Sequence, residues 1–422
     1  SDVASEHLEA ALDEADRHGG INVLQYRIVH APQMSDVRVV AGAGTGKTET
    51  MSERVMFLLA TVSSADDGTG TMPRPYDLRV DDIVMVTFTR ESAREMRERI
   101  ARTLMLRQRL CRRCTLPVLA WMMQLSNTQI STIHGFAKSI AQQGAASLGI
   151  GPGFRVSQQT LVFREIVLQA LSARFNDAVE AYGGSIPKNH LWVKHIQEVW
   201  NTLDNAGVSL VDMRPNSIPD VQVDWGCTSF GDFRDMVAAA IEGIIEEVAG
   251  RFAEACREEQ SVPTSQLVTL ALQTMTSQDS PPVRRPRFLF IDEFQDTDSQ
   301  QMDFIIALRK KMGARLFVVG DVKQGIYRFR GAEGSAFVEL EARRKREGLG
   351  PFLKFSLTRN FRSGRKLLES LHPYFEVWGS GPKEERLLDY GPTDKLRHAR
   401  HKTNSGLAIQ NRTCGKWVFA AH

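Results

Sequence analysis

Along the 422 residues, short apolar runs alternate with stretches in which apolar side chains return at helical spacing. The runs VRVVA at 37–41, IVMVTF at 83–88, RFLFID at 287–292, RLFVVGD at 315–321 and LKFSL at 353–357 each end in polar or glycine-rich residues and lead into a helix-period segment. That rhythm predicts an α/β fold built on a parallel sheet. Between Arg99 and Pro286 the texture changes to helical periodicity, as in LVFREIVLQALSARF at 161–175 and DMVAAAIEGIIEEVAGRFAEA at 235–255, which predicts a helical insertion. Segments rich in Gly, Pro, Ser and Asp at 63–75, 183–188, 213–220 and 276–286 are expected to be loops, and no internal repeat stands out.

The first strand runs directly into Ala41-Gly42-Ala43-Gly44-Thr45-Gly46-Lys47-Thr48 and then into the helical ETMSERVMFLLA. Small residues between a strand and a helix let backbone N–H groups curl around phosphate oxygens at a helix N-terminus. Lys47 can then reach the β- and γ-phosphates, and the Thr48 hydroxyl can hold Mg²⁺. Ala41 stands where the usual pattern has glycine. Such a site needs an acidic pair at the end of another strand, and FLFIDEFQD supplies Asp292 and Glu293, 245 residues beyond Lys47. A separation of that length is harmless if a domain is inserted between. Asp292 is expected to hold Mg²⁺, and Glu293 to orient or deprotonate the attacking water.

Composition narrows the class. With 42% hydrophobic and 24% charged residues the chain is an ordinary folding sequence, long enough for about two to three domains. Five cysteines are an odd number, which argues against a disulfide framework and for a reducing compartment, so a cytoplasmic location is expected. No run approaches the roughly 20 apolar residues needed to cross a bilayer. The 53 Lys and Arg nearly balance the 50 Asp and Glu, so any nucleic-acid surface must come from local placement of charge. Residues 90–113 carry nine Arg against three Glu, an excess of six in a chain whose total is +3. The competing reading is a solvated helix face, because Ala93, Met96, Ile100 and Leu104 form an amphipathic stripe. Cys111 and Cys114 have half of a zinc-ribbon spacing with no second pair to complete it.

The motifs together make the sequence similar to the superfamily 1 DNA helicases of the UvrD/Rep type. INVLQ at 21–25 resembles the adenine-reading motif that precedes the phosphate loop. VTFTRESAREMRERI at 86–100, STIHGFAKSIA at 131–141, IDEFQDTDSQQ at 291–301, VVGDVKQGIYRFRGAE at 318–333 and LTRNFRS at 357–363 resemble motifs Ia, Ib, II, III and IV in the family's order. The wording KQGIYRFRGAE is nearer to the AddA/RecB type of helicase–nuclease subunit. The resemblance implies a RecA-like P-loop NTPase sheet that binds ATP and Mg²⁺. It assigns Gln25 to the adenine edge and Phe361 to its face. Gln324 becomes the γ-phosphate sensor, and Arg362 the finger on developing phosphoryl charge. Phe88, Thr89 and Arg90, then Thr132, His134 and Phe136, then Tyr327, Phe329 and Arg330 would form a track for single-stranded or partially duplex DNA. Read without the family, Phe136 and Tyr327 would be core residues and His134 an interior histidine. A nuclease or second helicase subunit is an implied partner, and a membrane is not.

The resemblance also divides the chain: lobe 1A at 1–99 and 286–348, a helical 1B insertion at 100–285, and a truncated, incomplete second RecA-like lobe, 2A, from 349 to 422. No pattern like motifs V and VI appears at 404–422. A ratcheting motor needs two lobes that close and reopen. The expectation is therefore a parent helicase or translocase, of which this chain binds nucleotide and single-stranded DNA but hydrolyses ATP poorly and does not unwind. The alternative is a non-motor binding protein or regulatory relic.

Overall fold

The computed structural model describes residues 12, 21–61, 78–110, 118–146, 150–157, 162–170, 193–194, 196–198, 244–245, 247–248, 250–252, 254–264, 266–276, 286–321, 324, 336–378 and 395–398. In chain order its elements are α1 (Val23–Val29), β1 (Val37–Ala41), α2 (Lys47–Thr61), β2 (Ile83–Thr87), α3 (Arg90–Leu110), α4 (Val118–Leu125), β3 (Ile130–Thr132) and α5 (Ile133–Gln143). There follow β4 (Arg155–Ser157), β5 (Ser261–Pro263), α6 (Gln266–Thr276), β6 (Phe288–Ile291), α7 (Ser299–Met312) and β7 (Arg315–Gly320). The last are α8 (Ala336–Arg346), β8 (Leu353–Leu357), β9 (Arg359–Asn360), α9 (Arg365–Trp378) and β10 (Arg397–His398).

Six strands form one parallel sheet in the order β3-β2-β6-β7-β1-β8. The middle strands β2 and β6 are buried at every position, as unbroken apolar runs in a parallel sheet must be, whereas the edge strand β8 is exposed over its first residues. Phe290 on β6 faces Phe317 on β7 with ring centroids 4.9 Å apart. Met51, Leu58 and Leu59 of α2 and Met96, Ile100 and Leu104 of α3 join the same core. Each such burial contributes about 1.5–3 kcal/mol before the entropy of ordering is set against it.

All five expected runs are strands of this sheet. The sixth, β3, escaped sequence reading because three residues are too few to establish a period. The expected loops at 63–75, 183–188 and 213–220, and most of 276–286, lie outside the described residues.

The chain falls into two compact units, Ser1–Phe136 with Arg284–Thr297 and Ile305–His422, and Ala137–Val283 with Asp298–Phe304. The expected boundary at 99/100 lies inside the first of these units. That cut would pass through α3, whose Met96, Ile100 and Leu104 pack into the core of the sheet together with Trp121 of α4. Beyond the expected boundary at 349, β8 pairs with β1 from Val37↔Leu353 to Ala41↔Leu357 in the six-stranded sheet. In the second unit, described helical residues at 162–170 and between 244 and 258 share a core of Phe163, Val167, Ile244, Val248 and Phe252. Helical periodicity anticipated that. Its β4 and β5 pair in parallel. Among the described residues no helix is long and apolar enough to cross a membrane.

Candidate active site

The site lies at the carboxyl ends of β1, β6 and β7, where open α/β sheets bind their ligands. β1 closes at Ala41, which is fully buried in its pairing with Leu357, so the departure from glycine there is a strand residue and not part of the cradle. The loop that follows takes left-handed backbone at Gly44 (φ +72°) and Gly46 (φ +82°), conformations that cost an L side chain about 1 kcal/mol or more. Its carbonyls are tied back into protein. Thr45 Oγ1 donates to Gly42 O at 2.7 Å, Asn360 Nδ2 to Ala43 O at 2.7 Å, and Phe361 N to Gly44 O at 2.8 Å. Thr50 N and Oγ1 both donate to Gly46 O at 2.9 Å. With the acceptors engaged, the loop is left to offer peptide donors at the N-terminus of α2, an arrangement suited to an anion.

Lys47 Nζ donates to Glu293 Oε2 at 2.7 Å. Gln295 Nε2 donates to the same oxygen at 2.8 Å, and Gln295 Oε1 accepts from Asp321 N at 2.8 Å. Asp321 Oδ2 in turn accepts from Gln324 Nε2 at 2.9 Å. An unbroken hydrogen-bonded chain thus links the phosphate loop, the end of β6 and the end of β7. Gln295 (5% exposed) and Asp321 (2% exposed) make its interior links, and both escaped sequence reading; the signal was there in DEFQD and VVGD, whose polar residues sit at strand ends. Glu293 itself is a non-glycine residue at φ +50°, strained backbone of the kind retained where a side chain must be aimed.

Asp292 directly follows β6, and its carboxylate accepts from Glu293 N at 2.9 Å. Burial and then the neighbouring Glu293 push its pKa up to about 6, while Lys47 acts against the rise. Burial and Glu293 likewise push Asp296 up to about 6, and its Oδ1 is buried without a hydrogen-bond partner. Asp292, Glu293 and Asp296 share Lys47, and a divalent cation held by Asp292 and the Thr48 hydroxyl would offset their charge. Among the described residues no group of three or more His, Cys, Asp or Glu could hold a metal alone.

Gln25 is fixed by a capping box at the start of α1: Gln25 N donates to Asn22 Oδ1 at 2.9 Å, and Asn22 N donates to Gln25 Oε1 at 3.1 Å. A Cβ on Gly46 would lie 2.7 Å from Gln25 Nε2, so this amide borders the phosphate loop. The buried Arg54 of α2 secures the end of α1 by donating to Val29 O at 2.7 Å and Pro32 O at 3.2 Å. Across the loop, Phe361 is 41% exposed and available to a base, and a Cβ on Gly44 would lie 2.6 Å from Arg362 Cβ. The expected nucleotide residues from Gln25 to Arg362 are therefore brought together, apart from the displaced role of Ala41.

The expected DNA track is less uniform. Thr89 and Arg90 are exposed and Phe88 is half-buried after β2. Thr132 Oγ1 accepts from Gly135 N at 3.2 Å at the start of α5, and burial lowers the pKa of His134. Phe136 is 6% exposed, beside Ile133, Ala137 and Ile140 on the apolar stripe of α5. Tyr327, Phe329 and Arg330 lie outside the described residues, as do Cys111 and Cys114. Three of the nine arginines of 90–113 are engaged within the fold. Arg94 pairs with Glu91 and Glu98, Arg99 with Glu49, and Arg97 donates to Leu125 O at 3.3 Å and Ile130 O at 3.1 Å.

Residues 21–345 match the model of the UvrD/REP helicase N-terminal domain. The chain belongs to this family. It is similar to an ATP-dependent helicase/nuclease subunit of Clostridium acetobutylicum, at 23% identity over 85% of this chain and 40% of the relative. With the ATP-dependent helicase/nuclease subunit of the same name from Bacillus cereus it shares 31% identity over 39% of this chain and 14% of the relative. With DNA helicase II of Haemophilus influenzae the figures are 25% identity, 92% of this chain and 46% of the relative. The chain thus spans two fifths to just under half the length of the relatives it matches along most of its own length.

Proposed function

We propose that this chain carries the ATP-binding and hydrolysing site of a DNA helicase or translocase, of the 3′–5′ single-strand type by resemblance, acting in repair or recombination. The observation that carries the reading is the 2.7 Å contact of Lys47 with Glu293, which joins the phosphate loop to an acidic couplet from a different strand of the same sheet. Family membership supports the coupling to DNA.

In this reading the loop from Gly42 to Thr48 binds the phosphates through its peptide N–H groups and Lys47. Gln25 and Phe361 orient the base. Glu293, held by Gln295, takes the proton of the attacking water, and Arg362 and Gln324 stabilise charge that develops on the transferred phosphoryl group. Thr48 and Asp292 would hold Mg²⁺, which supplies charge neutralisation at the phosphate oxygens when bound. Thr89, Arg90, Thr132, His134 and the 327–330 segment are the DNA-facing candidates, and a nuclease or second helicase subunit is the proposed partner.

Steady-state ATP hydrolysis with and without single-stranded DNA, comparing the chain with Lys47→Ala, tests the proposal. DNA-stimulated turnover that disappears in the variant supports it. Nucleotide and DNA binding without turnover favours the non-motor binding protein, and nucleotide binding indifferent to DNA overturns the coupling.

A further inference from the structure

The turn after β9 clasps the phosphate loop through a residue that neither the sequence motifs nor the family match assigns. Asn360 is 1% exposed, and its amide is used from both ends. Nδ2 donates to Ala43 O at 2.7 Å, while Oδ1 accepts from Arg362 N at 2.8 Å and Ser363 N at 2.6 Å. Between them, Phe361 N donates to Gly44 O at 2.8 Å. The approach is close enough that a Cβ on Gly44 would also meet Asn360 Oδ1 at 3.1 Å.

The two jobs require one planar group with a donor and an acceptor side by side, which asparagine has and its isosteres lack. Aspartate would keep the acceptor for the two peptide N–H groups but set an oxygen against the Ala43 carbonyl. Alanine would leave three partly buried backbone groups, Ala43 O, Arg362 N and Ser363 N, without this partner. The clasp holds at one end the loop that binds phosphate, and at the other the peptide that carries Phe361 and Arg362.

We propose that Asn360 is a positioning residue that locks the phosphate loop and the Phe361–Arg362 turn into one rigid piece, so that the guanidinium of Arg362 keeps its place against the terminal phosphate. This rests on the nucleotide reading above and deepens it. A staple that served stability alone would lower the melting temperature and leave nucleotide discrimination unchanged. A positioning residue acts through Arg362, and its loss must be redundant with the loss of Arg362.

The test is a double-mutant cycle on the 422-residue chain with Asn360→Ala, Arg362→Ala and the pair, beside Lys47→Ala. Fluorescence titration with a non-hydrolysable ATP analogue and with ADP measures the triphosphate-over-diphosphate preference, at a temperature where melting curves show every variant folded. Arg362→Ala and Asn360→Ala are each expected to lower that preference by about tenfold, and the pair by no more than Arg362→Ala alone. Asn360→Asp, which keeps the turn, should lose it as well; this variant serves if Asn360→Ala does not fold. Additive losses in the pair, or an Asn360 variant that is folded and discriminates normally while Arg362→Ala does not, overturn the inference alone. Lys47→Ala without effect on either nucleotide overturns the nucleotide reading and the inference with it.

Discussion

The two ends of the same sheet treat a buried carboxylate in opposite ways. At the amino end, Asp36 precedes β1 and is surrounded by donors: Arg309 Nε at 2.9 Å, Arg344 Nη2 at 2.7 Å and Leu316 N at 3.0 Å. Arg344 also lies over the Phe352 ring at 4.0 Å. Positive charge there exceeds what the carboxylate needs. At the carboxyl end, Asp292, Glu293 and Asp296 share Lys47, and Asp292 and Asp296 are pushed up to about 6. At one end the protein's own arginines compensate the carboxylate, and at the other three carboxylates share one lysine. A charge deficit that folding leaves uncorrected, beside strained backbone at Glu293, is what separates a site from a staple.

Substitutions should separate the two ends cleanly. The largest effect is expected at the carboxyl end, where Glu293→Gln should lower ATP turnover by about a thousandfold or more with the melting temperature nearly unchanged, as steady-state kinetics and calorimetry would record. Asp36→Ala should do the reverse, costing about 3–5 kcal/mol in urea unfolding because two arginines lose their counterion, while nucleotide affinity of the folded fraction stays the same. A loss of affinity in Asp36→Ala would show the ends to be coupled, and the contrast would fail.

Gly46→Ala tests the cradle itself. It forces a side chain into φ +82° and against Gln25, so nucleotide titration should show at least about a tenfold loss, with a stability cost of about 1–2 kcal/mol. Arg97→Ala asks whether the basic helix is a staple or a phosphate path. A cost of about 1–2 kcal/mol in stability with unchanged salt dependence of DNA binding places it with Asp36, whereas a flatter salt dependence returns it to the DNA track.

The smallest effect concerns His134, whose pKa lies below the ordinary 6.5 because it is buried. As pH falls past 6.5 the unfolded chain takes up that proton first, so stability present at neutral pH is lost progressively toward acid. His134→Gln should flatten that limb of the stability–pH curve, and an unchanged curve would remove His134 from the account.

Much of the site was legible because its chemistry is local. A glycine-rich turn between a strand and a helix, or an acidic couplet closing an apolar run, is written in consecutive residues. Phe136 illustrates the limit: its place in a motif suggested a base-stacking face, while its place on an apolar stripe suggested the core, and only packing could choose between them. The arginines of α3 pose the same question in charge. Arg94 pairs within its own helix, but the partners of Arg99 and Arg97, Glu49 on α2 and the carbonyl of Ile130 on β3, lie tens of residues away. Asn360 and Gln295 lie inside the motifs, but what each holds could not be read from its neighbours, because each links elements distant in the chain.

The order of residues was thus enough to determine the parallel strands, the phosphate loop and the acidic couplet, since backbone freedom at glycine and the burial of apolar runs depend on near neighbours. Which strand ends stand side by side was decided by the tertiary structure alone. Parallel pairing in the order β6-β7-β1-β8 is what carries Glu293, Asp321 and Asn360 to Lys47 and its loop. Hydrogen bonds and charge compensation depend on distances of a few ångströms between groups that the chain separates by hundreds of residues.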